Sequence, residues 1–363
     1  MKANLKIQSI SVRAVVVPMR RPLKTSTGAV SVAPLLLVDL KTNSGIVGRS
    51  YLFAISKAHL KPLAAAVEAM AEMISGDALA PFEMEKKLRA RYTLLGVHNI
   101  VLFAMSTIAM CAWDALGQAL GQPVVRLLGG EPRPVLAYNS NGLGIQELKP
   151  LAKEAEQLVE DGFSAVKLRL GRPTAAADIE ALRAVKKAIG PQTTLMVDFN
   201  QALTIAEAIR RGRMIDDEGG VYWIEEPIRA DDFAGCAKVA REVATPIQIG
   251  ENFMGPEQMA QAIAAGCCDY VMPDAQRIGG VTGWMRAAAL AQGAGLEMSS
   301  HLFPEASCQL LPVTPGCHWL EYVDWADPIL EEPVRIVDGR VVGVAGPGLG
   351  MRWNEKAVKK YAA

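Results

Sequence analysis

From about residue 134 onward the chain repeats one pattern: a short apolar or β-branched run, a helical stretch, then another run. The runs are PVLAYNS, AVKLRL, TLMVDFN, VYWIEEP, PIQIGEN, YVMPDA, LEMSSH and HWLEY. Stretches such as IQELKPLAKEAEQLVEDG and PEQMAQAIAAG lie between them, each closing on a glycine just past the last turn. Such alternation demands a parallel sheet, because a strand rejoins its neighbour in the same direction only through a right-handed crossover. Seven or eight units of this kind close into a (β/α) barrel, with room for one irregular unit. An open doubly wound sheet is the structural alternative, but no Gly-rich dinucleotide fingerprint follows the first run.

The first third reads differently. Strands are predicted over 5–17, 35–41 and 46–53, the last two joined by Thr42-Asn43-Ser44-Gly45, a hairpin signal. Helices are predicted over 57–75 and 81–120, interrupted near Gly96. We expect an α+β unit over residues 1–130, a barrel over 131–330, and a C-terminal segment over 331–363 whose short strands around VRIVDGRVVG pack back onto the first unit.

Composition narrows the function classes. Lys plus Arg and Asp plus Glu each total 38, so no positive surplus exists to hold a nucleic-acid backbone or a membrane surface. The N-terminus alternates like a strand and lacks the apolar core of a signal peptide, and no apolar run is expected to span a membrane. The six cysteines show no zinc-type pairing and read as free thiols of a cytoplasmic protein.

Chemistry in a (β/α) barrel sits at the C-terminal ends of the strands. Those ends carry Lys167 and Arg169, Asp198 and Asn200, Glu225, Glu251, Asp274, His301 and Glu321. Asp198, Glu225 and Glu251 follow one another at 27 and then 26 residues, one unit each, so they meet in space. Three carboxylates repel without a cation, and hard oxygen ligands point to Mg²⁺, with Mn²⁺ as a substitute. Lys167 and Arg169 share a strand face, as do Asp198 and Asn200, and two cations in the mouth suit a substrate carboxylate. Asp274 can orient the His301 imidazole as a general base. Glu321 can donate a hydrogen bond to an enolate oxygen if burial keeps it protonated, or stand as a ring carboxylate in a salt bridge. The other three histidines, including His318, read as structural.

The order KLR, VDFNQ, WIEEP, GEN, MPDAQRIGGVTGW, SSHLF and HWLE resembles the enolase superfamily, in particular its mandelate racemase subgroup. RAVVVP, TSTGAVSVAPLLLVDL, GRSYLFA and PGLGMRW extend the likeness over nearly the whole chain. The resemblance implies a modified (β/α)7β TIM-type barrel under an α+β N-terminal capping domain. It implies metal ligation by Asp198, Glu225 and Glu251, neutralisation of the substrate carboxylate by Lys167, and base catalysis by His301 with Asp274. Glu321 then resembles the electrophilic acid, and Asn200 a substrate contact; Ser140, at the end of the first run, is expected beside them. The loops near 23–30 and 50–55 would close over a small α-hydroxy acid, in a homo-oligomer that family habit makes an octamer.

One departure bears on the reaction. The mandelate racemase pattern is Lys-x-Lys, whereas this chain has Lys167-Leu168-Arg169. Racemisation needs a base on each face of the substrate, and arginine stays protonated far above neutral pH. Two reactions stay open: racemisation, suited to the apolar residues Leu23, Val30, Leu52, Phe53, Ala54 and Ile55, and one-base dehydration by His301. A metal-dependent binding protein without catalysis is the third reading.

Overall fold

A computed structural model describes residues 5–26 and 28–363. Strands β1 (Ile7–Thr25), β2 (Gly28–Thr42) and β3 (Val47–Phe53) form an antiparallel sheet in the order β1-β2-β3. The Thr42–Gly45 turn closes on Gly45 N–H donating to the Thr42 carbonyl, with Gly45 at φ 83. β1 runs eight residues past its predicted end at 17, because it continues along β2 after a shift in register between Pro18 and Leu23.

β2 is covered on both faces, so its apolar run is continuous rather than alternating. Leu36, Val38, Leu40 and the β3 residue Leu52 join the core under helices Leu60–Ile74 and Asn99–Leu120. Leu35, Leu37 and Tyr51 point the other way, into the core shared with the barrel. The approach is close at Gly48, where an added Cβ would lie 1.9 Å from the Cys111 carbonyl oxygen.

The predicted helix over 81–120 is two helices, Pro81–Arg91 and Asn99–Leu120, separated by a turn with Gly96 at φ 89. Asn99–Leu120 corrects one expectation: it is long and apolar enough to cross a membrane, with a mean hydropathy of 1.7. In this fold 83% of its most apolar 18 residues are buried, and Trp113 Nε1 donates to Thr282 Oγ1 on a barrel helix at 3.1 Å.

The barrel strands are β4 (Val135–Asn139), β5 (Ala165–Arg169), β6 (Thr194–Asp198), β7 (Ile224–Glu225), β8 (Ile247–Ile249), β9 (Tyr270–Val271), β10 (Glu297–Met298) and β11 (Leu320–Tyr322). All pair in parallel from β4 through β10, and β11 pairs with β4. The ring closes where Met298 bridges Cys317 and Ser300 N–H donates to the Trp319 carbonyl. Among the described residues seven helices connect these eight strands, the last being the short Pro304–Leu310, so the irregular unit is the final one. All six cysteines are free thiols, four of them buried.

The tail divides its attachment. β12 (Arg335–Val337) and β13 (Arg340–Val342) form a hairpin, and β13 pairs antiparallel with the start of β4, so these strands join the barrel rather than the first unit. Only the residues beyond return to the antiparallel sheet: Val16 N–H donates to the Tyr361 carbonyl, Ala363 N–H to the Ala14 carbonyl, and Trp353 Nε1 to Asp39 Oδ1 at 2.7 Å.

Candidate active site

Strand alternation delivers the first ring of polar groups. On β5, Lys167 and Arg169 face inward; on β6, Asp198; on β7, Glu225; on β11, Glu321. All are buried. The rest arrive by turns that bend just past the strand ends. Asn200 (φ 45), Gln201 (φ 64), Glu226 (φ 39), Leu302 (φ 48) and Phe303 (φ 49) are all left-handed without being glycine. Backbone strain of this kind costs on the order of 1–3 kcal/mol per residue and gathers at functional sites. Asn200 therefore reaches the mouth through a strained turn, not through sharing a strand face with Asp198. Its Nδ2 donates to Asp198 Oδ2 at 3.0 Å. Gly250, at φ 138 with Met272 N 2.9 Å from an added Cβ, swings the chain so that Glu251 faces inward.

Oxygens of Asp198, Glu225 and Glu251 all lie within 4.8 Å of one another, the geometry of a divalent-cation site. Lys167 Nζ sits against the same acids, bonded to Glu225 Oε1, 3.3 Å from Asp198 Oδ2 and 2.8 Å from Glu321 Oε1. The four carboxylates of Asp198, Glu225, Glu251 and Glu321 outnumber the cations Lys167 and Arg169 beside them, an excess of negative charge that a divalent ion would offset. Glu225 reports the strain of that imbalance. Burial raises its carboxyl well above the usual range, Lys167 opposes this, and Asp198, Glu321 and Glu251 add to it. The residues present fit Mg²⁺.

His301 and Asp274 pair across an isolated parallel bridge, with Nδ1 2.7 Å from Asp274 Oδ2. Asp274 Oδ1 accepts the backbone N–H groups of Gln276 and Arg277, so the carboxylate cannot rotate away. The other ring nitrogen, Nε2, points into the site, 3.3 Å from Glu251 Oε2 and 3.8 Å from Glu321 Oε2. Burial lowers the imidazole's pKa, but Glu251, Glu321 and Asp274 outweigh it and raise the net value.

Two expectations change in this setting. Burial alone would keep Glu321 protonated, yet Lys167 and His301 outweigh it and hold the carboxyl well below its ordinary range. Glu321 accepts hydrogen bonds from Ser140 Oγ (2.7 Å) and Leu302 N (2.9 Å). Arg169, in turn, is fixed: its terminal nitrogens donate to the carbonyls of Ser140 and Gly142 and to Ser140 Oγ at 2.9–3.0 Å. Ser140 thus holds both Arg169 and Glu321.

A cavity of about 250 Å³ opens above these groups. One wall is Lys167, Arg169, Asn200, Glu251 and His301; the other is Leu23, Val30, Phe53, Ile55 and Trp325, with Thr25 as a polar group beside them. Phe53 and Trp325 touch, with ring centroids 5.1 Å apart. The loops expected to cover the ligand do line it, but Leu52 and Ala54 alternate away into the capping core. Thr27 lies outside the described residues. A second cavity of about 270 Å³, beside Pro132 and Gly343, contains none of the mouth's acids.

Sequence reasoning missed Glu226, Gln276, Arg277 and Trp325. Glu226 follows Glu225 and should point outward, but its left-handed backbone lets Oε1 accept the Gly250 N–H at 3.0 Å. Arg277 donates to the Glu251 carbonyl at 2.9 Å. Both position a metal-type ligand, a role that neither WIEEP nor DAQR reveals as sequence.

Two family models cover most of the chain: the mandelate racemase / muconate lactonizing enzyme N-terminal domain over 7–129, and the enolase C-terminal domain-like family over 150–357. The chain belongs to the enolase superfamily. Within its mandelate racemase / muconate lactonizing subgroup, the protein is similar to an enolase from Bradyrhizobium solved with magnesium and mandelic acid. The two are 43% identical, with a TM-score of 0.96 over 100% of both chains. L-talarate/galactarate dehydratase of Salmonella typhimurium is 30% identical over 89% of this chain and 81% of its own length. L-Ala-D/L-Glu epimerase of Bacillus subtilis is 26% identical over 81% and 80%. Homologues of this superfamily member are thus dehydratases, epimerases, racemases and cycloisomerases, the isomerase and lyase classes, and its structural neighbours bind magnesium.

Proposed function

We propose that the protein removes the α-proton of a small α-hydroxycarboxylate with an apolar substituent, as a racemase or epimerase. The observation that carries this is the meeting of a carboxylate-oriented imidazole with the acidic trio, His301 Nε2 standing 3.3 Å from Glu251. Asp198, Glu225 and Glu251 would hold Mg²⁺, which when bound supplies positive charge against the enediolate. Lys167 neutralises the substrate carboxylate and Asn200 lines the polar wall, while Ser140, buried behind the cavity rather than lining it, holds Arg169 and Glu321 in place. An anionic substrate draws Lys167 away from Glu321. With Lys167 no longer opposing it, burial raises the Glu321 carboxyl against His301 and Ser140 and favours it as a hydrogen-bond donor towards the enediolate oxygen.

The apolar wall selects the substituent. A polyol would leave hydroxyls unpaired against Leu23, Val30, Phe53 and Ile55, at about 1–3 kcal/mol each. An apolar substituent has no β-leaving group, so its enediolate leaves by reprotonation. On the face opposite His301 the proton carrier is Arg169, a poor one, so turnover through that face is slow.

That same arginine supports a second reading. With its guanidinium pinned to Ser140 and Gly142, His301 is left as the one base. A single base suits dehydration, in which His301 takes the α-proton and returns it to a departing β-hydroxyl. A small-molecule partner and a cytoplasmic setting belong to either reading. The exposed Leu94, Leu95 and Phe82 support a homo-oligomer.

Incubation with Mg²⁺ and a panel of α-hydroxy acids in D₂O separates the readings. Racemisation exchanges the α-proton and erases optical rotation; dehydration yields a keto acid that semicarbazide traps. Neither signal across the panel would remove both readings and leave a binding protein.

A further inference from the structure

One turn touches all three parts on which the proposed reaction depends. It runs from Asp274 to Arg277, just past β9. Its backbone holds the dyad: Gln276 N–H and Arg277 N–H donate to Asp274 Oδ1 at 2.7 and 3.2 Å, leaving Oδ2 for His301. Its arginine holds the metal-type ligand, donating to the Glu251 carbonyl and to Asn252 Oδ1. Its glutamine reaches the capping domain. Phe53 N–H donates to Gln276 Oε1 at 2.8 Å, and Gln276 Nε2 donates to the Phe53 carbonyl at 3.3 Å.

The last pair is unusual in form. A buried side-chain amide, 2% exposed, grips both backbone groups of one residue, as a neighbouring strand would. Phe53 is the residue whose ring forms the apolar wall beside Trp325. Adhesion of the cap requires no such grip, since Tyr51 and Leu37 already bury their side chains in the shared core. The grip fixes the position of Phe53 relative to Asp274. A displacement of the Phe53 backbone pulls on Gln276, whose own N–H sets the carboxylate that aims His301. Misplacing a reacting group by about 1 Å costs roughly 100-fold in rate.

We propose that Gln276 is a positioning residue that couples contact at Phe53 to the alignment of the Asp274–His301 dyad, so that a large apolar substituent is rewarded in kcat and not only in KM. The inference rests on the proposed α-proton chemistry. It makes Gln276 a specificity determinant although it does not line the cavity.

The test is a double-mutant cycle on Phe53→Ala and Gln276→Met, read as α-proton exchange in D₂O with Mg²⁺. The substrates are an aryl α-hydroxy acid and a small alkyl one. Taking the ratio of the two kcat values cancels any general loosening. Gln276→Met should lower the aryl-to-alkyl ratio about tenfold, Phe53→Ala should lower it similarly, and the double variant should fall no further. Gln276→Glu, which keeps the acceptor for Phe53 N–H but loses the donor, should fall between and serves if the methionine variant does not fold. Additive losses, or an unchanged ratio in both Gln276 variants, would overturn the coupling alone. Absence of exchange by the unaltered protein with every acid would overturn the proposed function and the coupling with it.

Discussion

The barrel's interior is built twice on the same strands, two residues apart. At its floor, Tyr138, Ala165, Met196, Trp223 and Trp319 pack into one buried cluster. Two positions further on, the same strands carry Ser140, Lys167, Asp198, Glu225 and Glu321. Both layers are buried, yet one gains from burial and the other is stressed by it. The floor removes apolar surface from water and blocks solvent from below, which strengthens every charge above it. The layers also touch: Trp223 Nε1 donates to Glu225 Oε2 at 3.2 Å, and Lys167 Nζ stands 5.6 Å from the Tyr138 ring centroid. Stability resides in one layer and chemistry in the other, with the strand's two-residue period setting the division.

Substitutions can break that division in turn. The largest effect belongs to the mouth. His301→Asn should lower α-proton exchange by about a thousandfold or more for the enantiomer facing it, with little change in melting temperature. Exchange that persists would remove His301 as the base. The floor should behave in reverse: Trp223→Ala should cost about 3–5 kcal/mol in urea unfolding. A loss below about 1 kcal/mol would show that the floor does not carry the barrel.

His318 sharpens the comparison, because it is a titratable group at the floor, between Tyr222 Oη and Ser299 Oγ. Burial pushes its imidazole down to about 4. In the unfolded chain the ring takes up a proton below about pH 6.5, while in the folded protein it stays neutral until about pH 4. The unfolded state binds more protons in that window, so stability is lost as the pH drops from about 6.5 towards about 4, by roughly 3 kcal/mol at most. His318→Gln should lose that share of the acid sensitivity, measured as the change in urea midpoint between pH 7 and pH 4.5. An undiminished change would place the acid response in the mouth's carboxylates. The smallest effect is expected at Arg169. Arg169→Lys should raise racemisation several-fold by returning a titratable amine to the far face, and no gain for either enantiomer would count against that placement.

The sequence made the layered architecture legible wherever alternation carried it. The spacing of Asp198, Glu225 and Glu251 along three consecutive units anticipated the trio, and Lys167 and Arg169 share a face as a strand requires. Legibility ended where the chain leaves the strand. Strands of two to five residues replaced the longer predicted runs, because left-handed turns at Asn200, Glu226 and Leu302 interrupt them. Gln276 and Arg277 were invisible as positioning residues because their partners, Phe53 and Glu251, lie 223 and 26 residues away. The protonation of Glu321 stayed open in the sequence between a buried acid and a salt-bridged carboxylate, because only the fold places Lys167 at 2.8 Å. The β12–β13 hairpin was assigned to the wrong neighbour because β4 exposes an unpaired start only once the barrel has closed.

Crystals soaked in Mn²⁺ and measured at the manganese edge test the cation site most directly. A single anomalous peak should appear within about 2.0–2.3 Å of carboxylate oxygens from Asp198, Glu225 and Glu251. A peak elsewhere, or an empty trio at saturating manganese with Lys167 still seated among the acids, would contradict the assignment of this mouth as a metal-assisted site.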